Sequence, residues 1–230
     1  MEKILTNSFN EIQIGSDHFS VKEVIQTFEK LVTPERLKKI DLVIQNRSSS
    51  LIPVLENIYD RGNISAVMRS AESFGFHRFH VIETGTNFKE SNRITQGADK
   101  WLLVKKWKST EHAFQELKSQ GIKIYTTALT ESAVDIDQMD LSVPSALVFG
   151  NEKDGVSKKA LELSDGNVLI PMMGFTQSFN ISVAAALCFY AARKKSKLVS
   201  IDEAQYLKAQ YILNSIQPSQ DRIIKVLKSL

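Results

Sequence analysis

The chain has 230 residues and a formal net charge of +3, from 29 Lys and Arg against 26 Asp and Glu, which is long enough to bury a full core as one domain with an extension. Hydrophobic content of 43% beside 24% charged residues excludes a disordered chain. The longest apolar stretch, residues 181–192, falls short of the roughly 18 residues of a membrane span, and the opening MEKILTNSFNEIQIGSD holds no apolar run suited to a signal peptide, so a cytoplasmic protein with no membrane contact is expected.

Residues 21–32 (VKEVIQTFEKLV) read as a short helix, and Thr33 with Pro34 supplies a cap and first-turn proline for a second helix to about Arg47. Residues 1–50 are therefore expected to form an N-terminal helical extension. From Leu51 the pattern changes. Short β-rich runs alternate with helical segments: LIPVLEN then GNISAVMRSAESFG, RFHVIE, WLLVKKW then STEHAFQELKSQG, IKIYTT, SALVFG then SKKALELS, and NVLIP then SFNISVAAALCFYAARKK. Such alternation predicts an α/β domain over residues 51–197, a mostly parallel sheet with helices on both faces. Residues 198–230 read as a basic helical tail broken at Pro218.

Charge is uneven along the chain: residues 193–230 hold eight Lys or Arg against three Asp or Glu. A second basic group, KWLLVKKWK at residues 100–108, combines lysines with two tryptophans. It suits phosphate contact with stacking, and equally a lysine-guarded strand edge. A third comprises Arg36, Lys38, Lys39 and Arg47. Together they are compatible with a polyanionic partner. The single cysteine, Cys188, lies in an apolar helix and reads as a core residue. The four histidines show no ligand spacing, so no metal is expected.

Dinucleotide and P-loop fingerprints are absent. Three loops following strands carry the chemistry instead. In NISAVMRSAESFG (63–75) an apolar stripe of Ile64, Val67, Met68, Ala71 and Phe74 faces the sheet, while Arg69 lies opposite among the small residues Ser65, Ala66 and Ser73. On its own Arg69 is more often a solvated surface charge, and Asn63 more often a helix cap, than a functional group. In FGNEKDG (149–155) two glycines enclose charged residues at a strand's carboxyl end, where backbone can approach a ligand. In IPMMGFTQSFNISVA (170–184) Gly174, Thr176, Gln177, Ser178 and Asn180 exceed what a strand-to-helix turn requires.

Taken in order, N-x-x-x-x-x-R-x-A-x-x-F-G, F-G-N-E-K-x-G and I-P-M-x-G-x-x-Q-S-x-N-x-S-V-A resemble the three motifs of the SPOUT superfamily of RNA 2′-O-ribose methyltransferases, over about residues 33–197. The lysine of the middle loop and the absence of a large N-terminal RNA-binding domain resemble the tRNA (guanosine-18) 2′-O-methyltransferases. The resemblance implies a deep trefoil knot at about residues 146–195, a homodimer, S-adenosylmethionine as cofactor and RNA, foremost tRNA, as partner. It implies cofactor contacts at Thr127, Gly150, Ile170 and Phe179, the last standing where leucine is usual. It implies catalytic and substrate roles for Asn63, Arg69, Glu152, Ser178 and Asn180. RNA contacts are implied at Arg36, at Lys39 and Lys194, which replace arginines, and at Lys195 and Lys197, beside a serine, Ser196, in place of a third arginine.

The family assigns a base role to the arginine matched by Arg69. A guanidinium with a pKa above about 12 is better suited to stabilising a developing alkoxide or gripping a phosphate. Methylation of ribosomal RNA or of another tRNA position is an alternative within the same chemistry. A catalytically silent RNA-binding protein of the same fold is an alternative outside it.

Overall fold

A computed structural model describes residues 9–84, 98–176 and 178–229; Gln177 lies outside them. The chain divides into two compact units, Met1–Arg47 with Leu198–Leu230, and Ser48–Lys197.

The smaller unit begins with an antiparallel hairpin, β1 (Glu11–Ile14) and β2 (Asp17–Ser20), that the helical reading of this segment omitted. Its turn needs Gly15 at φ 66, and alternation places Ile12, Ile14 and Phe19 inward. α1 (Val21–Phe28) buries Val21, Val24, Ile25 and Phe28 as a single stripe. α2 (Pro34–Ile44) is capped by Thr33, whose hydroxyl accepts from the Arg36 amide at 3.3 Å. The tail forms α7 (Ile201–Ile216) and α8 (Gln220–Leu227), and α1 and α2 both pack on α7. The break between α7 and α8 comes from Gln217, left-handed at φ 48, with Pro218 next and Ser219 capping α8 through the Arg222 amide at 3.3 Å. Arg47 does not join a basic surface: it is only 1% exposed, with its guanidinium 5.5 Å from the Tyr211 ring centre.

The larger unit is a seven-stranded, wholly parallel sheet flanked by helices on both faces. Its strands are β3 (Leu51–Glu56), β4 (Arg78–Ile82), β5 (Leu103–Trp107), β6 (Lys123–Thr127), β7 (Val134–Asp135), β8 (Ser145–Phe149) and β9 (Gly166–Leu169), in the order β5-β4-β3-β8-β6-β9-β7. The central strands β3 and β8 are buried along their whole length, which is why they read as unbroken apolar runs. Pro53 is tolerated within β3 because pairing with β4 starts only at Val54, leaving one neighbour at that point. α3 (Arg61–Ser73) and α6 (Ile181–Arg193) cover one face through a core that includes Leu55, Val67, Met68, Phe149 and Phe189. α4 (Thr110–Ser119) and α5 (Lys158–Leu163) cover the other through Ile52, Val54, Phe114, Leu117, Val148 and Ala160. No helix among the described residues is long and apolar enough to cross a membrane.

At the edge strand β5, Lys105 sits 4.2 Å from the Trp107 ring centre and 3.3 Å from the Glu116 carboxylate, and the Trp107 indole N–H donates to His80 Nδ1 at 3.2 Å. These groups are turned inward, which favours the guarded-edge reading of this segment over a stacking platform. Burial, with the nearby positive charges of Arg78 and Lys105, pushes His80 down from 6.5 to about 3. Folded His80 therefore stays neutral at pH values where the unfolded chain binds a proton. Its contribution is complete above pH 6.5 and is lost as pH falls from 6.5 toward 3. Urea unfolding should accordingly show stability falling by up to about 1.4 kcal/mol per pH unit from this group below that point. His80→Gln, which keeps an acceptor for Trp107, should flatten the profile between pH 6.5 and 5; an unchanged profile would contradict the assignment.

Candidate active site

Strand order places the site. From β3 the chain works outward through β4 to β5, then crosses to β6, leaving a slot that β8 later fills between β3 and β6. Beyond the carboxyl ends of β3 and β8, α3 and α5 leave toward opposite faces, which opens a crevice at the switch point. A cleft of about 450 Å³ lies there, walled by Thr127 at the end of β6, Phe149 to Glu152 where β8 ends, Val168 to Ile170 where β9 ends, and Ser178, Phe179 and Ile181 around the start of α6. All four residues expected to contact a cofactor, Thr127, Gly150, Ile170 and Phe179, line this one cleft. Phe179 remains half exposed at its mouth.

The turn after β8 is tightly built. Asn151 accepts through its side chain from the amides of Lys153 at 2.9 Å and Asp154 at 2.7 Å, and its carbonyl accepts from Gly155 at 2.9 Å. Gly155 is left-handed at φ 69. A Cβ on Gly150 would sit 2.0 Å from the Gly155 carbonyl carbon, so no other residue fits. The middle of this turn presents Glu152 to solvent.

Asn63 joins the three loops. Its amide donates to the Glu152 carboxylate, and its carbonyl oxygen accepts from the Asn180 amide at 3.4 Å. The cap of α3 is Asp60, which accepts from the Gly62 amide at 2.7 Å, so Asn63 is spared for this contact. Asn180 caps α6 by accepting from the Ser182 amide at 2.9 Å and its hydroxyl at 2.6 Å. Ser178 is exposed on the cleft wall and has no polar partner among the described residues. Arg69 stands apart: it is exposed on α3, about 9 Å along the helix axis from Asn63, and is absent from the cleft wall. Among the described residues it has no polar partner. Cys188 reaches the cleft floor, but burial pushes its thiol up to about 12, which rules out a thiolate nucleophile near neutral pH.

The residues expected to touch RNA fall in both units. Arg36, whose Nε donates to the Ser215 hydroxyl at 3.3 Å, and Lys39 are exposed on α2. In the larger unit Lys194 lies 4.3 Å from the Tyr190 ring centre, Lys195 donates to the Asp137 carbonyl, and Lys197 donates to the Ser142 carbonyl at 3.2 Å. All three of these lysines remain exposed.

The profile of the SpoU rRNA Methylase family matches residues 50–190, more than half of the chain. The chain belongs to the SpoU family. It is 36% identical over 163 residues to the tRNA (guanosine(18)-2′-O)-methyltransferase of Thermus thermophilus, spanning 71% of this chain and 84% of that one. The protein of the same name from Borreliella burgdorferi is 34% identical over 199 residues, spanning 86% and 88%. The solved A. aeolicus TrmH/SpoU tRNA modifying enzyme superposes with a TM-score of 0.69 at 29% identity, covering 79% of this chain and 97% of that one. The SpoU methyltransferase AviRb of Streptomyces viridochromogenes, solved with AdoMet, shares the fold at a TM-score of 0.55 and 23% identity, covering 66% and 62%.

Two supports of this SpoU site escaped the sequence reading. Asn57, left-handed at φ 53, accepts from the Thr84 amide at 3.0 Å and hydroxyl at 3.1 Å, closing the loop after β3. Glu56, the last residue of β3, accepts three hydrogen bonds while buried. The signal for Glu56 is the one acid ending an otherwise apolar run.

Gly150→Ala should destabilise the protein by about 2 kcal/mol or more in urea unfolding, because the turn has no room for a methyl group. Gly174→Ala, where a Cβ would meet nothing within 4 Å, should change stability by less than about 0.5 kcal/mol. Equal effects at the two positions would refute the packing described for the turn.

Proposed function

We propose that this protein methylates a ribose 2′-hydroxyl of tRNA using S-adenosylmethionine, with guanosine-18 as the target. The observation that carries the reading is the Glu152–Asn63–Asn180 junction, which ties three strand-end loops together at the rim of the cleft. Both named relatives above are guanosine-18 enzymes and share more than a third of their aligned residues with this chain.

The cleft fits the cofactor in size and chemistry. About 450 Å³ suits a molecule of that bulk, and the walls combine apolar Phe149, Ile170 and Phe179 with Gly150. Thr127, Gly150, Ile170 and Phe179 would hold it, with Gly150 and Ile170 offering main-chain groups. When bound, S-adenosylmethionine supplies an electrophilic methyl group.

The chain's own residues must then place the acceptor oxygen in line and favour loss of its proton. Asn63, oriented by Glu152 and Asn180, would hold the ribose. Ser178, whose hydroxyl has no polar partner among the described residues, would bind the substrate. Arg69, without a polar partner among the described residues, would stabilise the developing alkoxide or the neighbouring phosphate. Arg36, Lys39, Lys194, Lys195 and Lys197 would supply phosphate contacts.

A trefoil knot over about residues 146–195 and a homodimer complete the reading. The knot rests on family membership. The dimer is supported by α6, which leaves Val183 46%, Leu187 41% and Tyr190 55% exposed as an apolar stripe at helical spacing. Such an enzyme would work in the cytoplasm.

Nucleoside mass spectrometry of tRNA incubated with the protein and S-adenosylmethionine should detect 2′-O-methylguanosine, and mass mapping of nuclease fragments should place it at position 18. Arg69→Ala should lower methylation by about 100-fold or more, and light scattering should give twice the 25.9 kDa chain mass for both proteins. Methylation undiminished in Arg69→Ala would remove that residue from the mechanism; a mass of one chain would refute the dimer.

A further inference from the structure

We propose that Glu56 is a positioning residue for this site: its buried carboxylate anchors the far end of the 151–157 turn and thereby holds Glu152 against Asn63. The inference rests on the reading of Glu152 and Asn63 as site residues.

Glu56 is 1% exposed and does not line the cleft, so it touches no ligand there directly. Its Oε2 accepts from the Ser157 amide at 2.8 Å. Its Oε1 accepts from the Ser157 hydroxyl at 2.8 Å and the Thr110 hydroxyl at 2.5 Å. Among the described residues no cation pairs with it. A carboxylate without a counter-ion is costly to bury, and three donors aimed at two oxygens are what make it tolerable.

Folding alone does not call for an acid here. The five residues of β3 before Glu56 are all buried and apolar, and Ser157 already caps α5 through the Ala160 amide at 3.0 Å. The surplus polarity is spent on the turn. Upstream, the turn is continuous with β8; within, Asn151 and the Gly150–Gly155 contact make it rigid. Downstream, Glu56 grips it by the Ser157 amide and hydroxyl. The result is a stiff hinge-free segment fixed at both ends, with Glu152 between them. Thr110 fastens the same carboxylate to the start of α4, through the Oε1 that also accepts from the Ser157 hydroxyl, and makes no bond to the turn itself.

The test compares Glu56→Gln with Thr110→Val by amide hydrogen exchange of the unliganded protein and by steady-state tRNA methylation. Glu56→Gln cannot accept from all three donors, so exchange across residues 151–157 should quicken by about tenfold and kcat should fall by about tenfold, with KM for tRNA changed by less than about twofold. Thr110→Val should leave exchange in the turn and kcat at wild-type values. Exchange and kcat in Glu56→Gln that match Thr110→Val would overturn the proposal. Should Glu56→Gln not fold, Ser157→Ala removes one of the three donors and must still quicken exchange at 151–156; wild-type exchange there would overturn it equally. A wild-type protein that methylates no tRNA would refute the functional reading, while the exchange data would still decide what Glu56 does to the turn.

Discussion

Where a parallel sheet ends, its backbone leaves the ladder, and each amide and carbonyl at that rim must find another partner. Here side chains supply them. Asn57 serves Thr84, Glu56 serves Ser157, the Thr127 hydroxyl serves the Val148 carbonyl at 3.0 Å, Asn151 serves two amides of its own turn, and Asn180 serves Ser182. The cleft is what remains between segments held in this way. Because the strand order reverses at β3 and β8, the held loops diverge and leave room for a ligand.

This requirement sorts the polar residues of the three loops. Asn151 and Asn180 would be needed by the fold alone, whereas Asn63 and Glu152 satisfy each other at the surface, where water would serve as well. Ser178 and Arg69 have no polar partner among the described residues. The groups least explained by folding, Asn63, Glu152, Ser178 and Arg69, are thus four of the five matched to catalytic and substrate positions, which is the pattern expected where local structure has been shaped by a ligand.

The α/β alternation was legible because six of the seven strands from β3 onward lie in segments rich in apolar or β-branched residues, the two-residue β7 being too short to register, and helices are capped in plain view: Asn180 before α6, Ser109 before α4, Thr33 before α2. The hairpin of residues 11–20 was not, since two four-residue strands bury only three apolar side chains between them, too few to stand out from a loop. Within the site, Thr127, Gly150, Ile170, Phe179, Glu152 and Ser178, all named from the family resemblance, line one cleft. Composition misled over Arg47, because a buried guanidinium stacked on Tyr211 has the same letter as an exposed one. Long-range contacts such as Glu56 with Ser157 leave no periodic trace at all, as their partners lie 101 residues apart.

The most direct measurement is a crystal structure of the protein with S-adenosylhomocysteine. The account predicts the ligand bound in the strand-end cleft, against the backbone of Gly150 and Ile170, with Thr127 and Phe179 beside it and its sulfur facing the Asn63–Glu152 junction. A ligand bound elsewhere on the chain, or an empty cleft at saturating concentration, would contradict it.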